Sequence, residues 1–344
     1  MNNTEHSERE KSSLKIEIVD GQTVRECLPM STCIQLMSEV LVSHYQKEAL
    51  VPQRLTSSLF DPDHHLMLMP AALQKPAILG VKTLTLCPDN PQRSLPAIQG
   101  LITLFDLDTG TPIALVDAAS ITLMRTAAAS AAATQVLARE DACSLALIGT
   151  GRQAESHLQA MLAIRPINRV TVWGRSAEKA RVFADRARNN IDRSIDITAA
   201  TDIAIAINEA DIVCTLTGSQ NPIIKGEWLK PGTHINMVGA HSSDTREVDA
   251  DTIKRARLFV EIKSAALKEA GDILIPLRAG EIQENHILGE VAQVILGDIA
   301  GRTHANDITA YKSLGNAAQD LAAAAKVLEL ARLHGRTRVI EWML

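Results

Sequence analysis

A short apolar run, Ser144–Ile148 (SLALI), leads directly into Gly149-Thr150-Gly151-Arg152-Gln153-Ala154, which opens a helical pattern over 153–164. No other feature of the sequence restricts the fold as sharply. In a G-x-G-x-x-A turn the first glycine makes the tight bend and the second lets the backbone approach a pyrophosphate. The small third residue lets helix and strand pack closely. The phosphates then face a helix N-terminus, whose N–H groups and dipole favour anions. An ordinary strand–turn–helix junction is the plainer reading of the glycines. The strand before the turn, the helix after it and a second strand at 169–173 (RVTVW) favour dinucleotide binding by residues 149–154.

From Cys143 onward this alternation repeats. Strands are expected at 144–148, 169–173, 211–216, 233–238 and 257–261, with helices at 153–164, 177–190 and 249–256. Such a pattern predicts an α/β fold with a parallel sheet covered on both faces, a Rossmann-type domain. Before it, 66–69, 78–86, 100–106 and 112–116 read as strands of another sheet, and 87–96 (CPDNPQRSLP) as a polar loop. Apolar Ile34, Met37, Val40, Leu41 and Tyr45 recur at helical spacing behind a capping candidate, Ser31, so a helix is expected over 31–50. Small residues dominate 119–138, which suits a closely packed helix bridging two domains; 315–335 reads as a helix packing back on the N-terminal sheet. Residues 1–13 are polar and charged and are expected to form a frayed tail. At 344 residues the chain exceeds the usual size of one core, so two domains are expected.

An NAD site usually carries an acid at the end of its second strand, where it holds the ribose 2′-hydroxyl. Here that strand runs into Gly174-Arg175-Ser176. Arg175 suits a 2′-phosphate and Ser176 a hydrogen bond to it, while Lys179 is either a helper or a solvated helix residue. NADPH is therefore the expected cofactor, with NADH as the alternative. Thr215, Val238 and Gly239, at the ends of later strands, are assigned to the cofactor as well. A net charge of −5 gives no sign of a nucleic-acid partner. Cysteines 27, 33, 87, 143 and 214 lack metal-ligand spacing, and their odd number fits reduced thiols in a cytoplasm. No apolar run is long enough to span a bilayer.

The stretches 78–83 (ILGVKT), 123–130 (LMRTAAAS), 149–161 (GTGRQAESHLQAM), 231–249 (PGTHINMVGAHSSDTREVD) and 313–322 (SLGNAAQDLA) together resemble the ornithine cyclodeaminase/μ-crystallin family. They run in the family's order from about residue 30 to about residue 330. The resemblance implies a central Rossmann domain, expected over 126–309. It also implies a smaller α+β substrate and dimerisation domain built from both chain ends, 14–125 and 310–344. It implies a homodimer, which the short apolar strands of the N-terminal sheet also favour, and hydride transfer at the α-carbon of a small 2-imino or 2-amino carboxylate.

The resemblance also carries over individual residues. Arg54 (VPQRL), Lys82 (GVKT) and Arg125 (MRTAA) match the family's substrate residues, and Ser313 and Gly315 match its S-x-G motif. Two guanidinium forks suit a carboxylate. Lys82 can bond the same carboxylate or act as an acid near an imine, with burial and neighbouring arginines lowering its pKa. Taken singly, a lone Arg or Lys is usually a surface charge. Lys82, however, interrupts an apolar strand, where a cation is costly unless it is paired or used.

One departure bears on mechanism. Cyclodeaminases of the family follow the strand matching INMVG with an aspartate, where this chain has His241. Asp244, three residues on, is expected only to cap the turn before a helix at about Asp249. Cyclodeamination needs a retained NAD and a carboxylate base, whereas reduction needs a hydride source and a proton donor such as Lys82 or His241. The expected activity is therefore NADPH-dependent reduction of Δ1-pyrroline-2-carboxylate or its six-membered homologue, to proline or pipecolate. An ornithine or lysine cyclodeaminase is the enzyme alternative, and an NADPH-linked binding protein of μ-crystallin type the non-enzyme one.

Overall fold

A computed structural model describes residues 13–61, 63–191 and 194–343. Residues 1–12 of the expected tail lie outside the described residues; Ser13, placed in that tail, instead begins a strand. The described residues divide into two compact units, one of residues 13–28, 50–121 and 320–343, the other of 29–49 and 122–319.

The first unit is built on a mainly antiparallel sheet. Its strands run in the order Arg338–Met343, Ser13–Val19, Pro112–Asp117, Ile98–Asp106, Ile78–Leu86 and His65–Leu73, with Leu55–Ser58 also paired to His65–Leu73. Ser13–Val19 is antiparallel to Arg338–Met343 and parallel to Pro112–Asp117. Along Ile78–Leu86 the buried positions are Ile78, Gly80, Lys82 and Leu84. This period-two pattern puts Lys82 on the apolar face, opposite Met69 and Ile102 in the neighbouring strands. The strands Ser13–Val19, Leu55–Ser58 and Arg338–Met343 were not expected from the sequence, although SLKIEIV alternates apolar and polar residues; of the three only LTSS is both short and polar. The loop over 87–96 holds one 3-10 turn, Asn90–Arg93.

The second unit carries an all-parallel sheet in the order Asp196–Ala199, Arg169–Trp173, Ser144–Ile148, Ile212–Thr215, His234–Met237, Ile308–Lys312, Ala256–Val260 and Ile287–Glu290. The strand order reverses between Ser144–Ile148 and Ile212–Thr215. In open sheets of this kind ligands bind beyond the carboxyl ends at such a point. The chain thus has a Rossmann-type domain and a second α/β domain. Ile308–Lys312 lies inside this sheet, although residues from 310 onward were assigned to the other domain.

The helix Met30–Tyr45 also belongs to the second unit; it is shorter than the expected 31–50 and follows Pro29, so Ser31 is not its cap. Leu41 from this helix packs with Leu137, Phe259 and Tyr311. The small-residue helix is Ala118–Leu137, with Ala127, Ala128, Ala129 and Ala131–Ala133 buried, and the division between units falls within it, after Ile121. The C-terminal helix is Ala317–Leu333. Among the described residues no helix is long and apolar enough to cross a membrane, and the five cysteines are free.

Candidate active site

In the second unit, Gly149 follows the first nucleotide-sheet strand with φ +133°. A side chain there would also press within 2.7 Å of the Leu216 carbonyl oxygen, so the bend requires glycine. Around Gly151, by contrast, a Cβ would meet nothing within 4 Å. That open cradle lies at the start of the helix Arg152–Ile164, which has no side-chain cap and whose first N–H groups are offered to an anion. Ala154 is fully buried, as close helix packing demands. The adjoining cavity, about 730 Å³, is lined by Gly149, Thr150, Gly174, Arg175, Ser176, Lys179 and the segment 216–220 among others. No carboxylate is among its lining residues. Arg175 is exposed, and the Ser176 hydroxyl caps the helix Ala177–Asn190 by accepting from Lys179 N at 3.2 Å. These features fit a nicotinamide dinucleotide with its pyrophosphate at the 149–154 turn.

Thr215 was assigned to the cofactor, but its side chain is buried and its hydroxyl donates to Glu247 Oε2 at 2.6 Å. Glu247 also accepts from Thr217 N and Oγ1, both at 2.7 Å, and from Gly239 N at 2.7 Å. Gly239 is confined there, since a Cβ would collide with the Thr217 backbone. Val238 N bonds the Thr215 carbonyl oxygen at 3.1 Å. Burial and the nearby Asp272 carboxylate push the Glu247 carboxyl above its usual range, against the pull of the threonine hydroxyls and Lys312. Asp272 accepts from Glu247 N at 2.7 Å and pairs with buried Lys312 at 2.8 Å, and Lys312 also donates to the Ala240 carbonyl oxygen. These groups brace the loop that carries His241. The His241 ring is exposed, and its Nδ1 lies 3.0 Å from the Gly239 carbonyl oxygen. Donation from Nδ1–H makes Nε2 the basic nitrogen. In the turn before the helix Ala250–Arg255, Asp244 accepts from the Ser242 hydroxyl, and the helix itself is capped by Asp249, which accepts from Thr252 N at 2.8 Å.

Arg125 and the S-x-G segment come together in the same unit. Gly315 has φ +72°, and a Cβ there would collide with the Arg125 guanidinium. Arg125 Nη1 donates to Gln319 Oε1 at 3.1 Å. Ser313 is buried beside this turn, and its N–H donates to the Met237 carbonyl oxygen at 3.0 Å. Glu261, which the sequence did not single out, accepts from Gly315 N at 2.6 Å and from the Gln319 amide.

In the first unit, Lys82 Nζ lies 2.5 Å from Asp320 Oδ2, and both side chains are closed to solvent. Arginines were expected beside Lys82. The partner found is a carboxylate, which supplies the counter-charge that a buried ammonium requires. Arg54 is half-buried just ahead of the strand Leu55–Ser58.

Residues 17–334 match the ornithine cyclodeaminase/mu-crystallin family. The chain belongs to that family. Among its relatives is a Delta(1)-pyrroline-2-carboxylate reductase of Colwellia psychrerythraea, 35% identical over 320 residues, covering 91% of this chain and 99% of that protein. The Δ1-pyrroline-2-carboxylate reductase of Thermococcus litoralis, solved in complex with NADH and L-proline, superposes with a TM-score of 0.91 at 33% identity. It covers 94% of this chain and all of its own. An archaeal alanine dehydrogenase dimer with bound NAD superposes at 0.89 and 28% identity, over 96% of this chain and all of that one. For this member of the ornithine cyclodeaminase/mu-crystallin family, the residues missed in the sequence are Glu261, Asp272, Gln319 and Asp320. The one local signal was an acid or amide standing in an otherwise apolar stretch, as in AAQDLAAAA.

Proposed function

We propose that this protein is an NAD(P)H-dependent imine reductase that converts a cyclic 2-imino carboxylate to the cyclic amino acid. The substrate is Δ1-pyrroline-2-carboxylate or its six-membered homologue, and NADPH is the preferred cofactor. The observation that carries the reading is Lys82, an ammonium held 1% exposed on the apolar face of a sheet in a chain whose relatives carry the reductase name. Arg54 and Arg125 bind the substrate carboxylate, and the Ser313–Gly315 turn brings backbone up to it. Lys82 holds a proton at the ring nitrogen, with His241 Nε2 as the second candidate donor. When bound, NAD(P)H supplies the hydride taken up by the imine carbon. The 149–154 turn binds the pyrophosphate, and Arg175 and Ser176 bind the 2′-phosphate. The carboxylate-free cavity wall supports NADPH, since nothing there repels a phosphate dianion. Cyclodeamination is the weaker reading because position 241 carries an imidazole instead of a carboxylate base. The test is NADPH consumption on addition of the cyclic imine, against ammonia release from L-ornithine without added reductant. Ammonia release without consumption of NADPH would reverse the assignment.

A further inference from the structure

Arg125 has only donors on its guanidinium, and a carboxylate has only acceptors. Between Arg125 and the buried Glu261 stands the Gln319 amide, whose two ends differ. Its Oε1 accepts from Arg125 Nη1 at 3.1 Å, and its Nε2 donates to Glu261 Oε1. The other carboxylate oxygen, Oε2, accepts from Leu314 N at 3.2 Å and Gly315 N at 2.6 Å. Each oxygen of Glu261 thus has its own task, and the donor–acceptor order along the chain of bonds admits one orientation of the amide. Gln319 is itself set by its own N–H, which donates to Asn316 Oδ1 at 3.2 Å. Glu261 is 3% exposed and is positioned by the end of the strand Ala256–Val260.

We propose that Glu261 is a positioning residue of the substrate site. It fixes the Leu314–Gly315 backbone with one oxygen and, through Gln319, aims the Arg125 guanidinium with the other. This inference rests on the proposed role of Arg125 in binding the substrate carboxylate. Substitution by glutamine cannot preserve both bonds while Gln319 Oε1 still accepts from Arg125. If the new amide oxygen faces Gly315 N, its NH2 meets the NH2 of Gln319; if it is turned round, its NH2 meets the backbone N–H. Exchanging the two side chains restores the order. The amide at position 261 then accepts from Gly315 N and donates to a carboxylate at position 319, which also accepts from Arg125.

The experiment is steady-state reduction of Δ1-pyrroline-2-carboxylate by the full chain with NADPH, paired with fluorescence titration of NADPH and a thermal melt. Glu261→Gln is expected to raise KM about tenfold, as for one lost hydrogen bond to a charged group, with the NADPH Kd within about twofold of the parent. The double variant Glu261→Gln/Gln319→Glu is expected to bring KM back to within about threefold. Gln319→Met, which leaves the Glu261–Gly315 bond in place, gives the same KM increase and serves if Glu261→Gln does not accumulate. An unchanged KM in the single variants, or a folded, NADPH-binding double variant with no recovery, overturns the role of Glu261 alone. Absence of imine reduction by the unmodified chain overturns the proposed function and this inference with it.

Discussion

Asp320 and Lys82 form an ion pair of 2.5 Å inside the first unit, with side chains 0% and 1% exposed. An isolated charge at such a site costs several kcal/mol, and the attraction within the pair offsets part of that cost. Lys82→Met is expected to lower kcat about a hundredfold to ten-thousandfold if Lys82 holds the proton for the imine nitrogen. It also removes the counter-charge at 2.5 Å from the buried Asp320 carboxylate and should destabilise the fold by about 3–5 kcal/mol. Adding Asp320→Asn is expected to recover the melting temperature but not kcat. A Lys82→Met enzyme with near-normal kcat would remove Lys82 from the chemistry and leave His241 as the donor.

Arg175 stands where an NAD-specific site carries an acid, and it lines the cavity together with Ser176. Arg175→Ala is expected to weaken NADPH by roughly tenfold to a hundredfold, the worth of one charge-assisted contact, and to leave NADH nearly unchanged. Equal NADH and NADPH affinities in the unmodified protein would sink the phosphate assignment.

Carboxylate pairing exists in the ground state, so Arg54→Ala and Arg125→Ala are expected to raise KM strongly with a smaller change in kcat. NADPH affinity should survive both changes, because the turn proposed to bind the pyrophosphate is Gly149–Ala154. Titration of NADPH alongside the kinetics checks this, and joint loss of both affinities would point to unfolding instead.

His157 is fully buried between Gln153 O and the Ser130 hydroxyl, and burial lowers its pKa to about 4. His234 is lowered further, to about 3, chiefly by burial. Both are neutral when folded at neutral pH, whereas in the unfolded chain each takes up a proton near pH 6.5. Stability is therefore full above about pH 6.5 and falls as the pH drops towards about 4, by up to about 1.4 kcal/mol per pH unit for each histidine. Urea unfolding across that window should show the slope, and His157→Gln should reduce it by about one proton's worth. A slope untouched by the substitution would contradict the assignment.

Val339, Ile340 and Trp342, in the edge strand of the first sheet, are 45–59% exposed. An apolar edge strand of this kind suits burial against a second copy of the chain, and light scattering is expected to return a mass near twice 37.2 kDa. A mass near 37.2 kDa at micromolar concentration would refute it.

The Gly149–Ala154 turn, the strand–helix alternation around it and the cationic character of Arg54, Lys82 and Arg125 are legible in the sequence alone. Turn chemistry and periodicity are local: Gly149 stands between a strand and a helix adjacent to it in sequence, and Lys82 stands out against its immediate apolar neighbours, whereas the Leu216 carbonyl oxygen that also excludes a side chain at Gly149 is a tertiary neighbour. Tertiary structure alone decided how the charges are partnered. Gln319 meets Arg125 across 194 residues of chain, and nothing near either position announces the bond. Asp320, Glu261 and Asp272 each stand beside apolar residues, but nothing in one dimension names their partners or tells a buried carboxylate from a solvated one. Their burial follows from which helix and strand pack together. The same holds for Ile308–Lys312, whose place in the parallel sheet is fixed by hydrogen bonding to His234–Met237 and Ala256–Val260, far from it in sequence.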